Sequence, residues 1–226
     1  MTRRTRNQLH DVIEEAHCYC IMLEERQIFL HGDYEGEEEM HVQATTANMF
    51  LKNMQLLQGK NKSKPIVIHQ HSWGGYWDAG MLMYDAIKSC SAPVIMVCSG
   101  SAISMGTLVM QAADKRIFTP NCMFMAHYGT TGIAGNTCVA AQSQAAFEKK
   151  VMRRQIDIYA NACQYGSHWE EYDIEDIKKE LDSILRDRED WWMFPEEAVE
   201  YGFADGILGD EENPDLETIV ESLQQE

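Results

Sequence analysis

Three short apolar runs, each ended by small or polar residues and each followed by a helical pattern, constrain this chain more than any other feature. Ile28-Phe29-Leu30 is bounded by Arg26 and by Gly32-Asp33, and reads as a buried strand running into a turn. Pro65-Ile66-Val67-Ile68 leads into Ser72-Trp73-Gly74-Gly75, and Pro93 to Cys98 leads into Gly100-Ser101-Ala102-Ile103-Ser104-Met105-Gly106. Between them lie helical spacings: Val42, Met49, Phe50 and Leu57 with a stop at Gly59, and Met81, Leu82, Tyr84 and Ile87 within 79–89. A further helix runs from the Gly100–Gly106 turn to about Ala113. Strands and helices in this alternation require parallel pairing with crossover helices, hence an α/β core whose sheet is covered on both faces.

Beyond this core, Arg116-Ile117-Phe118 and Met123 to Ala126 read as two more short strands. The second half is mainly helical: a long pattern over 137–165, another from Ile174 to Leu185, and a short helix opened by Pro195 and ended by Gly202. Phe203 to Leu208 reads as a closing turn and strand. In the tail, 209–226, there are seven acids and no Lys or Arg, yet Leu216, Ile219, Val220 and Leu223 share one helical face that can dock. Residues 7–20 read as an N-terminal helix or arm, and Glu35 to Glu39 as a solvated acidic loop. No internal repeat or low-complexity linker divides the chain, which is expected to form one domain.

Composition narrows the function. Nineteen Lys+Arg against thirty-six Asp+Glu leave a net charge of −17, the wrong sign for gripping a phosphate backbone or an anionic membrane face. Neither a nucleic acid nor a membrane is therefore an expected partner. Hydrophobic residues at 45% exclude wholesale disorder, and no apolar run reaches membrane-spanning length. The basic start, Arg3-Arg4-Thr5-Arg6, is followed by a polar stretch and not by a signal-peptide apolar region. Seven Cys, an odd number without repeating spacing and mostly set among apolar neighbours, read as buried thiols of a cytoplasmic protein. His17-Cys18-Tyr19-Cys20 and His69-Gln70-His71 lack a second half at zinc spacing, so no metal and no other cofactor is expected.

The chemistry gathers at strand ends, where α/β sheets bind ligands. Ser104 stands where the Gly100–Gly106 turn enters a helix, a position that more often means a simple N-cap. His127 ends the run Met123 to Ala126, where a lone His is more often structural, and Gly74-Gly75 presents unhindered backbone amides. A hydroxyl, an imidazole to take its proton, a carboxylate to orient that imidazole, and paired amides are the parts that acyl transfer requires.

In order and spacing, Leu23-x-x-Arg26-x-Ile28-Phe29-Leu30-x-Gly32, Gly74-Gly75-x4-Gly80-x3-Tyr84-Asp85 and Gly100-x-Ala102-x-Ser104-Met105-Gly106 resemble the ClpP peptidases, as do Lys115-Arg116-x3-Pro120-Asn121, His127 and Glu197-Ala198-x2-Tyr201-Gly202-x2-Asp205. The resemblance spans roughly residues 20–208. It implies a ClpP/crotonase-like ββα-superhelix core over 21–208 with a long helical handle at about 137–186, an N-terminal arm over 1–20 and an acidic tail over 209–226. It implies a serine endopeptidase with Ser104 as nucleophile, His127 as general base and Asp190 as the orienting acid, with Asp187 the nearby competitor. The amides of Gly75 and Met105 would form the oxyanion hole. Trp73, Gly74, Tyr128, Gly129 and Gly132 would meet the substrate, an extended peptide or unfolded protein laid along the Gly129–Gly135 strand. Subunits of this family form heptamers, stack into tetradecamers, and serve a hexameric AAA+ unfoldase.

The departures are specific. Trp73 replaces the family's proline in Ser-Pro-Gly-Gly, Tyr128-Gly129 replaces Gln-Pro, and Glu189-Asp190-Trp191-Trp192 replaces an Arg-Asp-Arg-like run that links rings. The resemblance also admits a catalytically weak structural or regulatory subunit, or a capsid-maturation-type protease of the same superfamily.

Overall fold

Residues 6–31, 42–130, 132 and 137–225 are described by a computed structural model. The Gly32-Asp33 turn, the Glu35–Glu39 loop and most of the stretch from Gly129 to Gly135 lie outside the described residues.

In chain order the elements are α1 (Arg6–Tyr19), β1 (Ile21–Met22), β2 (Gln27–Leu30), α2 (Ala44–Lys60), β3 (Ile66–Ser72), α3 (Trp77–Lys88), β4 (Val94–Ile103), α4 (Met105–Met110), β5 (Lys115–Phe118), β6 (Met123–Ala126), α5 (Cys138–Cys163), α6 (Ile174–Arg188), β7 (Trp191–Met193), α7 (Pro195–Glu200), β8 (Gly206–Ile207) and α8 (Leu216–Gln225). A single 3₁₀ turn, Ser167–Trp169, joins α5 to α6. The sheet runs β1-β2-β3-β4-β5-β8, parallel except for the β1–β2 pair, as strands separated by helices require. This is the expected mixed α/β core with a mostly parallel sheet.

Strand alternation divides the core in two. Ile28, Ile68, Met96 and Phe118 face the large cluster with Phe50, Met54 and Met83 from α2 and α3, and with Tyr159 from α5. Val67, Ile95, Val97 and Ile117 point to the other face, where Ile219 of α8 is buried among them and Leu216, Val220 and Leu223 pack alongside. The apolar stripe of the acidic tail thus has a place on the sheet.

Two expectations need correction. Helix α2 runs through Gly59 to Lys60, because Arg26 serves the carbonyls that a glycine cap would otherwise satisfy. The Arg26 guanidinium donates to Leu57 O at 2.8 Å, Asn61 O at 3.0 Å, Lys64 O at 2.9 Å and Pro65 O at 3.1 Å. The Glu189-Asp190-Trp191-Trp192 segment, where the family has a charged run, enters strand β7, which pairs antiparallel with β6. Trp191 is 1% exposed and meets Tyr201 edge-on at 4.8 Å, so burial of one indole holds this strand against the core. The expected strand through Gly129 is absent at Gly129, Thr130 and Gly132, the positions of that stretch that are described.

The ten-residue strand β4 sets up the site. Its first half pairs with β5 over Ile95–Cys98 and its second half with β6 over Ser101–Ile103, with a break at the exposed Ser99-Gly100, where Gly100 has φ 73°. The register with β3 shifts between Gln70 and Ser72, a bulge that turns the end of β3 toward the end of β4.

Candidate active site

Ser104 joins β4 to α4 with φ 54° and ψ −124°, a backbone conformation that costs a non-glycine residue about 1–3 kcal/mol. Its N–H donates to Met125 O at 2.8 Å, so the neighbouring strand holds this turn in place. Although Ser104 occupies the N-cap position, its side chain makes no capping bond. The hydroxyl instead lies 2.7 Å from His127 Nε2. The simple capping role is not the one adopted.

His127 follows β6 directly, and Asp190 precedes β7. Because Ala126 is the register partner of Trp191, the residues just past that pair, His127 and Asp190, come together. His127 Nδ1 lies 3.0 Å from Asp190 Oδ1. A carboxylate accepting from Nδ1–H leaves Nε2 as the acceptor toward the serine hydroxyl. Asp187 is an exposed residue of α6 that the structure does not bring to His127. Gln155 of α5 donates to the His127 carbonyl at 2.5 Å.

Gly74 and Gly75 lie against this junction. A Cβ on Gly74 would stand 2.6 Å from Ser104 Cβ, and one on Gly75 would stand 2.1 Å from Val42 O, so close approach demands glycine at both. Val42 bridges this segment in parallel fashion, donating to Gly74 O at 2.9 Å and accepting from Tyr76 N–H at 2.8 Å. Such a bridge turns the N–H of Gly75 itself to the opposite side. Met105 begins α4, so its N–H has no helical acceptor. Both residues line the cleft that contains Ser104 and His127.

That cleft has a volume of ≈ 350 Å³. Trp73, Tyr128 and Gly129 line it, whereas Gly74 and Gly132 are not among its lining residues; Gly132 accepts from Gln144 at 3.4 Å through its carbonyl. Glu148, Val151 and Gln155 of α5 also line it; a helical spacing gives their face but not its partner, so sequence reasoning missed them. Trp73 is 45% exposed, standing at the cleft as a wall and not in the core.

Tyr128 donates its hydroxyl to the Asp182 carboxylate of α6, and Arg186 Nε donates to the same carboxylate at 2.8 Å. Burial, reinforced by the Asp182 bond, pushes the Tyr128 phenol well up, while the Arg186 bond holds Asp182 below its ordinary range.

The other candidates have separate roles. His69 stacks on Phe29 at 5.1 Å with Nε2 3.2 Å from Gln27 Oε1, and burial pushes its pKa down. His71 Nδ1 lies 3.0 Å from Ser99 O. Among the described residues there is no group of three or more His, Cys, Asp or Glu able to hold a metal ion. Cys98, Cys122 and Cys163 are buried, with desolvation pushing the thiols of the latter two up to about 12, whereas Cys18 and Cys138 are exposed. Among the described residues, no helix is long and apolar enough to cross a membrane.

Comparison with known proteins identifies the family. The family model described as Clp protease matches residues 12–211. The ATP-dependent Clp protease proteolytic subunit of Deinococcus radiodurans is 32% identical over 193 residues, covering 84% of this chain and 83% of that protein. The ATP-dependent Clp protease proteolytic subunit 1 of Chlamydia trachomatis is 31% identical over 207 residues, covering 89% of this chain and 93% of that protein. With a matching family model over most of its length, and a sheet and helices consistent with the ClpP fold, the chain belongs to the Clp protease family of serine peptidases, which are hydrolases.

Proposed function

We propose that this chain is the proteolytic subunit of a ring-shaped protease, hydrolysing peptide bonds through Ser104, His127 and Asp190. The observation that carries the reading is the continuous chain from hydroxyl to imidazole to carboxylate, with steps of 2.7 and 3.0 Å, on a strained strand-to-helix turn. Ser104 Oγ attacks the peptide carbonyl while His127 Nε2 takes its proton. Asp190 holds the imidazole tautomer and stabilises the imidazolium that forms. The N–H groups of Gly75 and Met105 receive the developing oxyanion. His127 then returns the proton to the leaving amine, and water, activated by the same imidazole, releases the acyl-enzyme.

The substrate of this reading is an extended peptide or unfolded protein, laid in the cleft that Gly129 lines and Trp73 walls. Seven subunits close the ring, and the family's ring-stacking contact is the one that Glu189-Asp190-Trp191-Trp192 alters. A hexameric AAA+ unfoldase feeds the chamber, and the assembly works in the cytoplasm. The domain division follows: an arm over 1–20, a peptidase domain over 21–208 with its handle at about 137–186, and the tail over 209–226. The names of the two relatives, both ATP-dependent proteolytic subunits, support this reading.

Ser104→Ala tests it. The variant is expected to lose at least about 10⁴-fold in turnover of a small fluorogenic peptide while keeping its melting temperature. Wild-type turnover by the folded variant would remove Ser104 from the mechanism.

A further inference from the structure

The ladder between β6 and β7 ends at the pair Ala126–Trp191, so His127 and Asp190 both lie one residue beyond the last strand contact. Backbone pairing brings them close but does not fix the angle between them. What fixes His127 comes from the helices. Gln155 of α5 holds its carbonyl, and the next residue, Tyr128, is tied by its hydroxyl to Asp182 of α6. Helix α6 ends at Arg188, and Asp190 follows two residues later, after Glu189 at φ 56°. The element that grips the residue after the imidazole is therefore the same element that delivers the carboxylate.

We propose that Tyr128, Asp182 and Arg186 form a positioning clamp that keeps the His127 imidazole aligned with Asp190. This rests on Ser104, His127 and Asp190 being the catalytic group. The clamp has defined donor and acceptor roles. Arg186 bonds Asp182 and lies with its guanidinium 5.6 Å from the centre of the Tyr128 ring, gripping both partners. With Arg186 keeping Asp182 ionised and burial keeping Tyr128 protonated, the phenol donates and the carboxylate accepts throughout the neutral range. The Asp182–Arg186 pair is too exposed to add much stability, its side chains being 42% and 58% accessible, so the clamp acts through geometry. Tyr128 turns its ring to the cleft and its hydroxyl to α6, which links the helical layer to the reacting imidazole.

Tyr128→Phe keeps the ring and deletes the bond from one side; Asp182→Ala deletes it from the other at a residue outside the cleft lining. Each is expected to lower kcat, and the rate at which a fluorophosphonate labels Ser104, by about 10- to 100-fold with KM changed by less than about twofold, because a small misplacement costs the chemical step and not binding. Since the Tyr128–Asp182 bond is lost in both, the double variant should be no slower than the slower single. Labelling of both variants at the wild-type rate would overturn the clamp while leaving the catalytic group intact. Losses that add in the double variant, or that follow a fall in melting temperature, would overturn it as well, by showing general destabilisation. Failure of the wild type to label at Ser104 would overturn the catalytic reading and the clamp with it.

Discussion

Ser104 holds a strained backbone conformation where β4 meets α4. Its backbone conformation is tolerated because β6 accepts its N–H and because Gly74 leaves room beside its Cβ. The proposed acid is one of two aspartates three positions apart, and β7 sets Asp190 beside His127. Asp190→Asn should therefore reduce kcat by about 10⁴-fold through the wrong imidazole tautomer, whereas Asp187→Asn on the exposed side of α6 should change it by less than about twofold. Comparable losses in the two variants, measured with one fluorogenic peptide, would contradict the assignment. Elsewhere Arg116 and Asp205 form a largely buried pair: Arg116 also donates to Gln111 Oε1 at 2.7 Å and to Gly202 O at 3.1 Å, joining β5 to the turn before β8. That explains in structural terms two residues whose spacing first marked the family resemblance.

Helix α8 is held on the sheet through one apolar face. Its ten residues are too few for an isolated helix to persist in water, so docking sustains it. Burying the Ile219 side chain contributes about 1.5–3 kcal/mol, with smaller shares from its half-buried neighbours. The approach is ordered: Asp210 accepts from the backbone of Ile207, Glu212 and Asn213, and Asp215 accepts from Thr218 N–H at 2.7 Å at the helix start. The bond from Thr218 holds the Asp215 carboxylate below its ordinary value of 3.8. A folded-state value below the unfolded one means this contribution is complete above pH 3.8 and is lost as pH falls through the lower, folded value. Amide protection over 216–225 is accordingly expected to fall on acidification below about pH 3.8, ahead of the strands of the large core, in hydrogen-exchange measurements. Protection that fell together with β3 and β4 would show that α8 is not a separate unit.

At the scale of the whole molecule, −17 per chain is repeated in every subunit of the proposed ring, and like charges oppose assembly. Screening shortens the reach of that repulsion from about 10 Å at 0.1 M salt to about 3 Å at 1 M. The assembled fraction, read as mass by light scattering, should therefore rise with sodium chloride at fixed protein concentration. Dissociation on adding salt would mean that ion pairs between subunits outweigh the net repulsion.

The sequence by itself determined the rhythm of strands and helices, the parallel sheet, the apolar stripe of the tail, and Ser104 and His127 at strand ends. All of these follow from local periodicity, from glycines at tight turns and from motif order, which act over a few residues. Tertiary structure alone decided that α2 ends on Arg26, that Trp191 enters the core and draws β7 beside β6, and that Asp190 meets His127 where Asp187 does not. It also decided that Tyr128 reaches Asp182, 54 positions along the chain. These contacts join residues far apart in sequence, and their register is set by packing volume and strand pairing, which no local pattern encodes.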